Sequence, residues 1–198
     1  MRIKSHWFRD GRERTPQEIA DALAFVAWRI ADNALRNTRK ADFEIAVGPQ
    51  YFAFLNEFLQ FLIMVADRIA YRRFSAEERM SFTGTLANRL GETYAENESR
   101  LLGGTPAASK QRFIEHVNLR AGEYADFGYD EHGPDYTFMR YLAFCMSPIM
   151  DAKDSHWIID QIISIEAPEA VKMVDKTLRD LLEAEPRPAR RRNGTSGD

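Results

Sequence analysis

The chain has 198 residues and a single cysteine, Cys145, so no disulfide can form within it. Its neighbours Phe144 and Met146 are apolar, which reads Cys145 as a small buried hydrophobe rather than a reactive thiol. Such a thiol suits a reducing compartment, and the expected location is cytoplasmic. The first fourteen residues carry five basic side chains but no apolar run, so they do not read as a secretory signal. No stretch reaches the roughly 20 apolar residues of a membrane-spanning helix. There is no internal repeat, no nucleophile elbow and no Glu-x-x-His pair of the kind that builds carboxylate-bridged metal centres in helical bundles.

Charge is also short of one sign where it would matter. The net charge is −3, but residues 1–14 and 186–198 each carry +3, which leaves −9 for the body between them. A basic face for nucleic acid is therefore not expected on the folded part, and no helix-turn-helix pattern appears.

What is present is helical punctuation. Thr15-Pro16-Gln17-Glu18 joins a hydroxyl N-cap to an early proline and a third-position glutamate, predicting a helix to about Lys40 with Ile19, Leu23, Val26, Ile30 and Ala34 inward. Pro49 opens a second helix to about Arg73. From Tyr51 to Ala66 only Asn56, Glu57 and Gln60 are polar, so this helix is either central or an oligomer contact. Ser75-Ala76-Glu77-Glu78 starts a third helix to about Leu102, with Leu101 inward, and Gly103, Gly104 and Pro106 end it. Further helices are predicted over 107–127, 135–146, 154–166 and 168–184. Phe144 and Trp157 are expected among the mostly buried residues of the fifth and sixth. The reading is all-α: a bundle of about seven helices, the first four antiparallel and up-and-down, in one domain over 15–184. A basic segment precedes it at 1–14, and a flexible Arg/Pro-rich tail follows at 185–198.

The polar residues inside apolar helical runs are the candidate site. If the first two helices are antiparallel, Asp32 lies level with Glu57 and Arg29 with Gln60. An Arg29–Glu57 contact flanked by Asp32, Asn56 and Gln60 then forms a polar layer, which either fixes helix register or lines a ligand pocket. A metal pair through Glu57, Glu92 and His116 is disfavoured, because Glu92 faces away from its helix's apolar stripe. The turn with Asp130, Glu131, His132 and Asp135 lacks calcium-loop order and reads as a surface turn capping the fifth helix. Asp154 or Ser155 is expected to cap the sixth, leaving His156 without a role.

The expected function is non-enzymatic: association, as a homodimer or with a protein partner, through apolar faces of the second, fifth and sixth helices. The alternative is a small-ligand or metal-binding bundle, or a carboxylate-based enzyme, centred on Arg29, Asp32, Glu57 and Gln60. No cofactor, membrane span or nucleic acid is expected.

Overall fold

The computed structural model describes residues 14–183; the basic segment and the Arg/Pro-rich tail expected at the two ends lie almost wholly outside them. The fold is an all-α bundle. Its helices are α1 (Pro16–Lys40), α2 (Pro49–Ala70), α3 (Ala76–Leu102), α4 (Pro106–Tyr124) and α5 (Tyr136–Met146). A sixth, α6, is continuous through three spans: Trp157–Gln161, a π-helical turn Ile162–Glu166, and Ala167–Glu183. A two-residue hairpin, β1 (Tyr129–Asp130) with β2 (Gly133–Pro134), links α4 to α5.

Both predicted capping boxes form. Thr15 Oγ1 accepts the Glu18 N–H while Glu18 accepts the Thr15 N–H, and Ser75 and Glu78 do the same for α3. Each satisfies two amide donors that a bare helix start leaves open. Asp135 caps α5 by accepting the Phe138 N–H at 2.7 Å. The cap expected of Asp154 is absent, because its carboxylate instead accepts the Glu44 N–H at 2.9 Å and ties the α1–α2 loop to the α5–α6 loop.

Six helices stand among the described residues where about seven were expected, and the reason lies at Pro168. Inside a regular helix a proline removes one hydrogen bond and its ring meets the carbonyl four residues back, so a break is the sequence expectation there. The wider π turn that ends at Glu166 relieves that clash, and the helix continues.

The core runs through α2, where Phe54, Leu55, Phe58, Leu59, Phe61, Ile63 and Val65 are all fully buried. Against it pack α1, α3, α5 and the last span of α6, while α4 lies mainly on α3. The α3–α4 contact is close because of Gly91, where a Cβ would sit 3.1 Å from Cδ1 of Phe113. At the far end of that pair Leu101 is exposed rather than inward, since Gly103 and Gly104, both at positive φ, turn the chain away before anything covers it.

The π turn also holds a buried acid. Glu166 is 2% exposed, accepts from Gln161 Nε2 at 3.0 Å and hydrogen-bonds Asn37, but no cation faces it. Burial raises its carboxyl, and the amide contacts only partly oppose that. The folded state therefore holds this proton more tightly than the unfolded chain does. Its contribution is complete below the unfolded value, near 4.3, and is lost as pH rises through the folded value. Glu166→Gln should accordingly melt higher than the parent at pH 8, with the gap closing toward pH 4.5. Thermal melts across that range check this, and an equal gap at both ends would contradict it.

Candidate functional site

The polar cluster of this fold lies between α2, α4 and α5, not between α1 and α2. On α1, Arg29 lies about 200° around the helix from Ala27, the midpoint of the buried arc, so it faces outward. Its guanidinium sits 5.9 Å from the Phe25 ring centroid and does not meet Glu57. Asp32 is half-buried. It pairs with Arg36 at 2.8 Å one turn on and accepts from the Tyr51 hydroxyl at 3.4 Å. Of the four residues predicted for the site, only Glu57 and Gln60 share it; the partners of Glu57 come from α4, while Gln60 bonds Asn56 on its own helix.

Glu57 is 8% exposed. Arg120 grips it with both forks, Nε to Oε2 at 2.9 Å and Nη2 to Oε1 at 2.7 Å. His116, one turn earlier on α4, adds Nε2 to Oε1 at 3.1 Å. The second face of Arg120 is also occupied, with Nη1 donating to Glu123 at 2.6 Å and to the Tyr141 hydroxyl of α5 at 3.0 Å. On the other side of His116, Asn56 Nδ2 stands 2.6 Å from Nδ1, and Gln60 Nε2 donates to Asn56 Oδ1 at 2.8 Å. Gln60 itself is wholly buried, and its Oε1 has no partner.

Electrostatics follow from this geometry. Burial works to raise the Glu57 carboxyl, but the hydrogen bonds from His116 and Arg120 outweigh it and hold the group below its ordinary value. Arg120 is likewise desolvated, yet Glu57 and Glu123 keep it firmly protonated. Cys145 lies at the edge of the cluster, where burial pushes its thiol up to about 11, with the Glu57 charge adding to the effect. A thiol so shifted stays protonated and unreactive near neutrality.

The sequence reading missed Arg120 and Tyr141. The available signal was the spacing on α4: His116 and Arg120 are one turn apart on the flank of the Phe113, Val117, Tyr124 stripe, so both can reach a helix that the stripe packs against. Among the described residues no three His, Cys, Asp or Glu side chains converge as a metal-holding group, and no helix is long and apolar enough to cross a membrane. No family model, curated protein or solved structure matches this chain.

Removing one partner of a buried, hydrogen-bonded pair strands the other. Glu57→Ala is expected to lower unfolding free energy by about 3–5 kcal/mol by stranding Arg120. Adding Arg120→Met should recover part of that loss, which denaturant unfolding of the single and double variants measures. The parent's Glu57 contribution is complete above the unfolded carboxyl value and fades as pH falls through the lower folded one. A Glu57→Ala midpoint close to the parent's would remove the pair from the account of stability.

Proposed function

We propose that this protein works by association, as a homodimer, through the outer face of α5. The observation that carries this reading is the stripe Tyr136, Arg140, Phe144, Pro148, spaced at every fourth residue and fully in the open. Tyr136 is 60% exposed and Phe144 is 70% exposed. On the following helix Trp157 is 68% exposed. Aromatic and arginine side chains are the residues that dominate interface energies, and four gathered on one short helix–turn–helix segment are unusual on an unpartnered surface.

The stripe suits a second copy of itself. With two α5 helices antiparallel and the two-fold axis level with Leu142, Arg140 meets the Phe144 ring of the other copy. Tyr136 meets its Pro148, and each contact occurs twice. Such pairing is the self-complementarity that a two-fold interface demands. Sequence reasoning placed the contact on the second, fifth and sixth helices, with Phe144 and Trp157 inside. The second helix is consumed by the protein's own core, and those two aromatics face out.

The alternative, a small-ligand or metal site at the polar cluster, has less to support it. Both carboxylate oxygens of Glu57 and both faces of Arg120 are already engaged by the protein's own side chains. A cytoplasmic, non-enzymatic role that involves neither nucleic acid nor cofactor completes the proposal. It draws on the acidic body and the single unreactive thiol.

Light scattering coupled to size exclusion should give about twice the chain mass of 22.8 kDa. Phe144→Ala, as the loss of an interface anchor worth about 2 kcal/mol or more, should weaken the dimer roughly 30-fold or more without changing the helical circular-dichroism signal. A strict monomer at high concentration would refute the proposal.

A further inference from the structure

A line of hydrogen bonds leads from the rim of the polar cluster into the centre of the core. It begins at His116, whose side chain is 20% exposed, passes through Asn56 and ends at Gln60, which is 0% exposed. Every link has a direction. Asn56 presents its NH2 to His116 Nδ1, so that ring nitrogen accepts and the opposite nitrogen carries the proton given to Glu57. Asn56 is thereby left with its oxygen toward α2's next turn, where Gln60 must donate. Gln60 then has its own oxygen in the interior with nothing to accept from.

We propose that this line is a proton-set relay in which protonation of His116 reverses the orientation of both amides. A proton on Nδ1 turns that atom into a donor, which an NH2 group cannot receive. Asn56 then has to offer Oδ1 to the ring and its NH2 to Gln60, and Gln60 has to turn Oε1 toward Asn56. The unpartnered acceptor in the core is exchanged for an unpartnered donor. No bond other than N–H changes hands, and the proton comes from solvent at the exposed edge of the ring.

From α2, Glu57 and from α4 itself Arg120 and Glu123 face the same cluster, two carboxylates and one guanidinium. Tyr141 and Cys145 are the α5 groups that face it, and both stay neutral. The α3 groups that meet α4, Glu92 through Lys110 and Glu98 through Ser109 and Arg112, are engaged nearer the start of α4. The consequence is that a rim histidine dictates hydrogen-bond polarity at a point no solvent reaches.

The test is a pH titration of the ¹⁵N-labelled full chain between pH 5.5 and 8.5. It follows the His116 ring nitrogens and the side-chain NH2 signals of Asn56 and Gln60. The relay requires His116 to be the Nε2–H tautomer at high pH and all three residues to move with one shared midpoint. In His116→Gln the Asn56 and Gln60 signals should stay flat, and in Asn56→Leu the Gln60 signal should no longer follow His116. Gln60 signals that ignore the His116 step in the parent protein would overturn the relay, as would a step persisting in His116→Gln. Should either variant fail to fold, the shared midpoint in the parent protein decides alone.

Discussion

The Glu57–Arg120 pair is the contact on which the placement of α4 depends. Helix α4 buries only Ser109, Phe113, Val117 and Tyr124, too narrow an apolar seam to select one register against α2 and α3. Polar side chains of α2 provide the selection. Glu57 receives Arg120 and His116 in mid-helix, while Arg68 donates to the carbonyls of Tyr124 and Ala125 and so closes the end of α4. A slip by one turn would leave a buried carboxylate bare, a penalty of several kcal/mol. Through Tyr141 the same guanidinium fixes α5, and with it the aromatic stripe on that helix's outer face.

A second constraint operates on the opposite side of the core. At the π turn the chain accepts an irregular helix and a cation-less acid in order to carry α6 past Pro168 without a break. The gain is a single long element whose Val174 and Leu178 reach the core that α1 and α2 share. Among the described residues the two buried carboxylates thus respond to pH with opposite signs. The hydrogen bonds from His116 and Arg120 lower Glu57, whereas burial with no facing cation raises Glu166 despite its amide contacts.

Much of the helical architecture was legible because its signals are local. Thr15, Ser75, Asp135 and the proline at 49 mark helix starts locally, and no knowledge of neighbours is needed. The merging of the last two predicted helices was not legible, since a π turn leaves no pattern that a proline-based break does not also leave. The site was half legible. That Glu57 and Gln60 needed buried partners follows from their apolar surroundings, but which helix supplies them is a tertiary fact. Pairing α2 with α1 by sequence adjacency chose Arg29, whereas the side of α2 that bears Glu57 meets α4. Phe144 and Trp157 escaped for a related reason: hydrophobicity predicts burial only where the fold has something left to cover a residue.

One further contact shapes how the molecule presents itself. Arg14 donates to the Leu181 carbonyl at 2.7 Å, which brings the first and last described parts of the chain to the same pole of the bundle. The sequence beyond each of them is basic, and the body between them is acidic. The points at which the described fold begins and ends are therefore neighbours rather than opposite ends of the bundle.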